Sequence, residues 1–203
     1  MEHWELAPHI GLGTLAFGMT EAAAVAAVGV FGTVTNQDPM DAAPDEADEI
    51  YKALVEAEGE EIARQVMAEM LADGVDLRNR RRLTVADGLV LDFVDDGLED
   101  IMCTLRTPDV HIDGHLFFGV DCLPALQRLQ ELNGAPPLVR DRDCLFVNLH
   151  LTAFECLKEL APGIVRSARE GTDEASQKTV SWRSTPRDPN EDLTGHRAID
   201  LLS

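Results

Sequence analysis

The stretch LAFGMTEAAAVAAVG, residues 15–29, has the order of a short strand, a tight turn and a helix. Its first residues are apolar, so Phe17 is expected to pack under a sheet, while Gly18 supplies the backbone freedom that a tight turn requires. Thr20 is placed to cap the alanine-rich helix, because its hydroxyl can accept a hydrogen bond from a free N–H of the first turn. We expect this helix to end at Gly29.

A second copy of this order lies at LFFGVDCLPALQRLQELNG, residues 116–134. Asp121 takes the place of Thr20 as the expected N-cap, and the helix is predicted over 122–133, with Gly134 after its last turn. A spacing of three residues predicts four inward-facing leucines, Leu123, Leu126, Leu129 and Leu132. The two copies together predict a chain built from two related halves.

The clearest strand signal lies between the two copies, in LTVADGLVLDFVDDGLEDIMCTLR, residues 83–106. Its Asp-Gly pairs at 87–88 and 96–97 separate alternating segments, and Asp-Gly favours a hairpin turn because both residues tolerate positive φ. This pattern predicts a three-stranded antiparallel meander. Its middle strand has one apolar face, which a helix must cover, formed by Leu89, Leu91 and Phe93.

The second half also continues into strand patterns. LVRDRDCLFVNLHLTAF, residues 138–154, predicts further strands with a turn at 140–143, and QKTVSWR, residues 177–183, predicts a last strand. His150 alternates with two leucines, which indicates a side chain on the polar face of that sheet. The second half therefore repeats the first, with a helix followed by an antiparallel sheet.

The first half contains an extra, acidic helical segment. Residues 33–45 have loop composition, and the apolar residues that follow are spaced for one face of a helix, namely Tyr51, Val55, Ile62, Val66 and Met70. Gly59 is placed to divide the segment into two helices. Nine acidic residues lie between positions 41 and 61 against the single Lys52, so the outer face of these helices is acidic. The run RNRRR, residues 78–82, is interpreted as a solvated loop whose positive charge complements this acidic surface.

The FGMT turn at 17–20, followed by Val25 and a Val-Gly pair, resembles the strand-to-helix motif of the β-lactamase inhibitor proteins. It is more distantly similar to the small outer-membrane lipoproteins that assist barrel assembly. This resemblance implies a tandem-repeat fold of two helix-on-sheet units, in which the acidic segment 46–73 is an insertion. It implies no catalytic residue, since these families are not enzymes. The stretches 90–101 and 110–129 further resemble uncharacterised bacterial cytoplasmic proteins, some of them immunity-like.

Charge and composition exclude several classes of partner. The chain of 203 residues has a formal net charge of −20, which repels nucleic-acid phosphates and acidic membrane surfaces and favours a basic protein partner. We read neither a membrane-spanning run of about 18 apolar residues nor a secretory signal, so we expect a cytoplasmic protein. Three lysines against 14 arginines are typical of a GC-rich bacterial genome. The four cysteines are expected to be reduced core thiols, at Cys103, Cys122, Cys144 and Cys156.

One cluster has the spacing of a metal site. In HIDGH, residues 111–115, an extended strand would place His111, Asp113 and His115 on one face, where they could hold zinc or ferrous iron. Asp113-Gly114 is also a turn signal, and a turn there would separate the three side chains. We favour the turn and keep a metal-dependent enzyme as the alternative. The chain has no G-x-S-x-G, P-loop or dinucleotide-type glycine motif, so no catalytic residue and no cofactor is assigned.

The sequence predicts one α+β domain over 1–203, made of two related helix-on-antiparallel-sheet halves at 10–108 and 109–185. The first half carries the acidic helical insertion, and residues 186–203 are expected to form a flexible C-terminal tail. The leading functional hypothesis is a non-enzymatic cytoplasmic protein-binding module, immunity-like, that presents an acidic face to a basic partner. A structural subunit of a larger assembly is a further alternative beside the metal-dependent enzyme. The identity of a partner and the oligomeric state stay open.

Overall fold

The computed structural model describes residues 4–40, 44–72, 80–85, 88–107, 109–118, 121–161, 163–168, 177–186 and 193–202. These residues form an α+β structure whose strands pair antiparallel within each sheet, as predicted. Short paired strands precede a helix both near the start of the chain and near residue 111, and longer antiparallel strands follow each of these helices, with two further helices inserted after the first.

The first half begins with a small three-stranded sheet and a helix: β1 (Leu6–Ala7), β2 (Gly11–Leu12), β3 (Leu15–Ala16) and α1 (Glu21–Ala27). Four longer strands follow: β4 (Val34–Met40), β5 (Arg80–Val85), β6 (Leu89–Val94) and β7 (Gly97–Thr104). Two helices lie between β4 and β5 in the chain: α2 (Pro44–Glu58) and α3 (Glu60–Ala72). Gly59 separates them with a φ of 88°, which confirms the predicted break, because a positive φ interrupts an α-helix.

The second half begins with a hairpin and a helix: β8 (His111–Ile112), β9 (His115–Leu116) and α4 (Leu123–Asn133). The next strands are β10 (Leu138–Arg140), β11 (Asp143–Phe146) and β12 (Leu151–Phe154). They are followed by β13 (Leu157–Ala161), β14 (Ile164–Ser167), β15 (Thr179–Arg183) and β16 (Arg197–Ala198). The connection between β10 and β11 lies within the predicted turn at 140–143.

The two halves share one antiparallel sheet of nine strands in the order β16-β10-β11-β12-β15-β7-β6-β5-β4. They meet where β15 pairs with β7, with Val180 opposite Cys103. The strand predicted to be the last one therefore lies in the middle of the sheet. Strands β13 and β14 form a separate two-stranded sheet.

One face of the nine-stranded sheet forms the core. Leu89, Leu91 and Phe93 are at most 1% exposed, which confirms the predicted apolar face of β6. Trp182 of β15 belongs to the same buried cluster, and so do residues of α1 and α4 such as Leu126. Burying one large apolar side chain contributes about 1.5–3 kcal/mol, so this face is a main source of stability. All four cysteines are free and buried, as predicted.

The turn into α1 has the predicted cap. Thr20 Oγ1 accepts a hydrogen bond from a backbone N–H of the first helical turn at 3.3 Å, and Gly18 has a φ of 78°. The α-helix ends at Ala27 with Val28 as its C-cap, within one residue of the predicted end, and Gly29 lies in the 3₁₀ turn Val28–Val30 that follows. Phe17 is only partly buried and packs at the margin of the core rather than beneath the sheet.

Helix α4 differs from the prediction at two positions. Its N-cap residue is Cys122, although the Asp121 carboxylate still accepts the Leu123 N–H at 2.9 Å. Leu132 is 43% exposed, so its predicted inward orientation was wrong. A step of three residues turns a helix by about 300°, so leucines at that spacing drift around the surface instead of staying on one face. Gly134 ends the helix in the left-handed conformation, as predicted.

Two segments that the sequence analysis assigns to loops are strands. Most of the predicted loop 33–45 forms β4 at the edge of the sheet, where Pro39 is tolerated because an edge strand leaves one side unpaired. The last three residues of the predicted loop 78–82 belong to β5, and residues 78 and 79 lie outside the described ranges. Both corrections enlarge the predicted three-stranded meander to the four strands β4 to β7.

The turns of the meander need one adjustment. Between β6 and β7 the chain turns at Asp95 and Asp96, one residue before the predicted pair 96–97, and both residues have positive φ, which aspartate tolerates. The other predicted turn contains residue 87, which lies outside the described residues. His150 has a φ of 53° after a 3₁₀ turn and stacks edge-on against His9, so it is not an alternating strand residue as predicted.

The C-terminal residues are attached to the sheet. Within the predicted flexible tail 186–203, residues Arg197–Ala198 form β16, which pairs with β10. Ile199 and Leu201 are buried, and the Leu201 N–H donates to Gln130 Oε1 of α4 at 2.7 Å. The prediction of a flexible tail was wrong for these residues. Burial of the two apolar side chains lowers the free energy of the folded chain and so holds this segment against the sheet.

Candidate functional site

The predicted turn in HIDGH is confirmed. Strands β8 and β9 are connected through Asp113 and Gly114, whose φ angles are 47° and 79°. In this hairpin Ile112 pairs with His115, while His111 pairs with another residue of β9. Because paired residues share a face and successive residues alternate, the register assigns the two histidines to opposite faces.

The His111 and Asp113 side chains of HIDGH are engaged in contacts with other parts of the protein. His111 Nδ1–H donates to the Asp109 carbonyl oxygen at 2.6 Å, and Nε2 lies 2.9 Å from Glu5 Oε2. The Asp113 carboxylate accepts a hydrogen bond from Arg128 Nε at 2.5 Å. Among the residues that the structure describes, no group of three or more His, Cys, Asp or Glu side chains is arranged to hold a metal ion. The metal-dependent alternative therefore has no ligand set in this part of the chain.

Helices α2 and α3, residues 44–72, form the acidic segment and are named here the acidic hairpin. The two helices contact mainly each other. Ala63 is fully buried, but the apolar surface of the two helices is incompletely covered, because Ile62 of the predicted apolar face is 46% exposed and Ile50 beside it in the sequence is 37% exposed. None of the helices in the described ranges has the length and the apolar character needed to cross a bilayer.

The acidic hairpin carries a large excess of negative charge. Its acidic residues are Asp45, Glu46, Asp48, Glu49, Glu56, Glu58, Glu60, Glu61 and Glu69, and its basic residues are Lys52 and Arg64. Arg64 forms an ion pair with Glu60, and the Tyr51 hydroxyl and the Glu60 carboxylate raise the pKa of Arg64. Because like charges on one element add their fields, this hairpin is a source of negative potential.

The face of the nine-stranded sheet opposite the core, named here the open face, carries a row of charges across four strands. Arg82 of β5 donates two hydrogen bonds of 2.7 Å to the Asp92 carboxylate of β6. Asp92 is paired in register with Asp100 of β7. Asp100 in turn accepts hydrogen bonds from Ser181 Oγ at 2.8 Å and from Arg183 Nε at 3.2 Å, both in β15. Two arginines thus flank two aspartates, and the formal charges of the row cancel.

Asp100 has an unusual environment within this row. Burial raises the pKa of its carboxyl group, and the neighbouring Asp92 adds to the rise. Ser181 and Arg183 act in the opposite direction, because their hydrogen bonds stabilise the carboxylate. Since burial has the largest effect, Asp100 keeps its proton to a higher pH than an ordinary aspartate.

A depression of about 550 Å³ on the open face is lined in part by Met102, Phe154, Asp143 and Glu155. Asp143 Oδ1 accepts the Glu155 N–H at 2.8 Å, and Glu155 Oε2 accepts the Gln177 N–H at 2.9 Å. Both carboxylates therefore hold neighbouring backbone in place. The depression has apolar side chains in its lining, but the Asp143 and Glu155 carboxylates already accept hydrogen bonds from the backbone.

The sequence predicts the acidic hairpin but not the charged row. Arg82 lies in the segment 78–82 that is predicted to be a loop, and Asp92 alternates with the apolar residues of β6. The four charged residues become neighbours through the register of their strands. This register shifts between Asp92 and Phe93, and no local sequence pattern predicts the shift. The alternation of polar residues along β6 is the only local signal of a polar face there.

Comparison with protein-family models, with curated proteins and with solved structures found no match to this chain.

The open face and the acidic hairpin differ in their charge balance. The charges of the open-face row neutralise one another, whereas the acidic hairpin has nine acidic residues against Lys52 and Arg64. The acidic hairpin is therefore the stronger candidate for recognition of a charged partner.

Proposed function

We propose that this protein is a non-enzymatic protein-binding module of the cytoplasm, immunity-like in role, which presents the acidic hairpin to a basic partner protein. One observation carries the proposal, namely a pair of helices that contact mainly each other and combine nine acidic residues with exposed apolar side chains. Charge would attract the partner, and apolar contact would retain it.

The charge argument begins with the whole chain. A net charge of −20 lowers the energy of an approaching cation at every orientation, and the acidic hairpin concentrates that charge locally. Complementary charge mainly raises the association rate and fixes the orientation of the partner. The same field disfavours nucleic acids and anionic membranes, because both carry negative charge.

The apolar argument concerns what holds the complex together. Ile50 and Ile62 expose 37% and 46% of their surface, although they belong to helices that already pack on each other. Covering apolar surface contributes about 25 cal/mol per Å². A partner that covers both isoleucines therefore gains an energy that salt does not screen.

A matched pair of charge variants tests this proposal. The hairpin variant, Glu56→Gln/Glu58→Gln/Glu61→Gln, removes three exposed negative charges from the acidic hairpin. The control variant, Asp95→Asn/Asp109→Asn/Asp141→Asn, removes three exposed negative charges elsewhere. Both variants have the same net charge, so a difference between them reports the position of the charge.

The measurement is recovery of proteins from a lysate of the source cells at low and at high salt, with identification by mass spectrometry. We expect the parent and the control variant to recover the same basic protein at low salt, and the hairpin variant to recover about tenfold less. Circular dichroism checks that the helices are retained. Equal recovery by both variants contradicts the proposal, and so does a parent protein that recovers no basic partner at either salt concentration.

A further inference from the structure

The acidic hairpin leaves most of its apolar side chains open to a further neighbour. Between residues 50 and 70, where the structure describes the side chains of both helices, Ala63 is the only buried residue. Helix α4 differs, since five of its 11 residues are buried, with Leu126 and Leu129 among them. Helices α2 and α3 therefore retain apolar surface of the kind that α4 places in the core.

The apolar residues of each helix cover a wide arc of its surface. At about 100° per residue, Ile50, Tyr51, Leu54 and Val55 span an arc of about 140° on α2. On α3 an arc of about the same width contains five residues, which are Ile62, Ala63, Val66, Met67 and Met70. Ala63 lies inside the α3 arc and is buried, whereas Ile62 lies at its edge and is 46% exposed.

A contact between two helices needs only part of such an arc. The seam of a two-helix pair uses two positions in every seven, whereas a stripe at least about 100° wide is typical of a helix that packs against a larger core. The arcs of α2 and α3 exceed that width, although these helices contact mainly each other. The width of the arcs therefore indicates a third element beside the pair.

Charge determines which third element fits this surface. The acidic hairpin has nine acidic residues against Lys52 and Arg64, so a second copy of the chain would bring like charges together. Lysine and arginine side chains beside an apolar stripe would instead lie next to glutamates of the hairpin and attract them. The surface is therefore suited to a segment that is both apolar and basic.

The backbone of the hairpin favours a helical segment over an extended one. Within α2 and α3 the N–H and C=O groups bond inside each helix, so the hairpin has no strand edge to which an extended segment could add. A helix satisfies its own backbone groups, and it can therefore lie on apolar side chains without leaving polar atoms unpaired.

We propose that the acidic hairpin binds a basic amphipathic helix of its partner, which lies on the exposed apolar side chains of α2 and α3 and completes a bundle of three helices. This inference rests on the proposed function and adds the structure of the partner's binding segment. That segment has apolar residues at positions i, i+3, i+4 and i+7, with lysine or arginine on both sides of the stripe. Its length matches the 15 and 13 residues of α2 and α3.

The test uses the full chain and three labelled peptides of about 18 residues, a length at which a helix can form on binding. The first contains leucine and lysine, with leucines at i, i+3, i+4 and i+7. The second has the same composition in scrambled order, and the third has the first pattern with glutamate in place of lysine. Fluorescence anisotropy measures the affinities. We expect the first peptide to bind at least about tenfold more tightly than the second and the third not to bind, because only the first combines an apolar stripe with positive charge.

A matched pair of apolar variants locates the binding surface. Ile50→Ser/Ile62→Ser removes two exposed apolar side chains from the acidic hairpin, and Ile10→Ser/Ile164→Ser removes two that are 65% and 58% exposed elsewhere. We expect the first variant to bind the leucine–lysine peptide at least about tenfold more weakly than the parent, and the second to differ from the parent by less than about twofold. Circular dichroism checks that both variants keep their helices and that the bound peptide becomes helical.

The results separate this inference from the proposed function on which it rests. Equal binding of the ordered and the scrambled basic peptides overturns the helical segment, and the basic partner still stands if the hairpin variant weakens both peptides. Binding of the ordered peptide that neither Ile50→Ser/Ile62→Ser nor the hairpin variant weakens contradicts both. The absence of binding by the ordered peptide overturns the helical segment, and so does a dimer of the protein that Ile50→Ser/Ile62→Ser dissolves, because a second copy then covers this surface.

Discussion

Gly18 and Leu98 are joined by a backbone hydrogen bond that attaches the strand-to-helix turn to the nine-stranded sheet. The Gly18 N–H donates to the Leu98 carbonyl oxygen, and the Leu98 N–H donates to the Met19 carbonyl oxygen, both at 2.8 Å. Gly18 has a φ of 78°, and a Cβ atom added there would meet no atom within 4 Å. The backbone conformation, and not a lack of space, therefore favours glycine at this position.

Gly18→Val should destabilise the protein by about 1–2 kcal/mol, because a β-branched residue is strained at positive φ. Gly29→Ala is the matched control, since its added Cβ also meets open space while its backbone lies in a helical turn. We expect that substitution to be neutral or stabilising by up to about 1 kcal/mol. Urea denaturation measures both free energies of unfolding. Equal losses in the two variants would show that strain at Gly18 is not the cause.

Leu91→Ala should cost about 2–5 kcal/mol, because it leaves a cavity in the core beneath β6. Its neighbour Val90 is on the open face and only partly buried, so Val90→Ala should cost about 1 kcal/mol or less. Guanidinium titrations of the two variants compare the two faces of one strand directly. A larger loss at Val90 than at Leu91 contradicts the assignment of the buried face.

Leu201→Ala should destabilise the protein by about 2–3 kcal/mol, although only two residues follow it in the sequence, because its side chain is buried. Leu202 is 52% exposed, so Leu202→Ala is the control and should change stability by less than about 0.5 kcal/mol. The melting temperature of each variant provides the measurement. If both variants melt like the parent, the C-terminal residues do not contribute to the core.

Asp100→Asn should become increasingly stabilising relative to the parent as the pH rises from below 3.8 towards neutrality. A carboxyl group whose folded-state pKa lies above its ordinary value of 3.8 stabilises the fold when protonated, and this contribution is lost as the pH rises through the folded pKa. Asparagine does not ionise, so the stability of the variant has no pH dependence from this position. Ser181→Ala should increase the pH dependence of the parent, because it removes a hydrogen bond that stabilises the carboxylate. Urea titrations at both ends of this pH range test this, and a constant difference between Asp100→Asn and the parent contradicts it.

Local sequence patterns predicted the features that depend on a few neighbouring residues. Thr20 caps α1, Gly59 separates α2 from α3, and Gly134 ends α4. The alternation along β6 and the turn at Asp113-Gly114 were also predicted, because side-chain direction and turn conformation follow from backbone geometry within the segment itself. The exposure of Leu132 was not predicted, although the helical period alone accounts for it.

Tertiary structure alone decided which distant segments meet. The pairing of β7 with β15, the placement of β4 at the edge and the burial of Leu201 each join parts of the chain that carry no local signal of one another. The contact between Cys122 and Cys156 arises in the same way across 34 residues. By itself the sequence determined the cap of α1, the break between α2 and α3, the end of α4, the turn at Asp113-Gly114 and the buried face of β6, because these depend on short-range sterics and periodicity. The charged row and the contact of Cys122 with the Cys156 carbonyl depend instead on strand register and on packing around one core, which is a property of the whole chain.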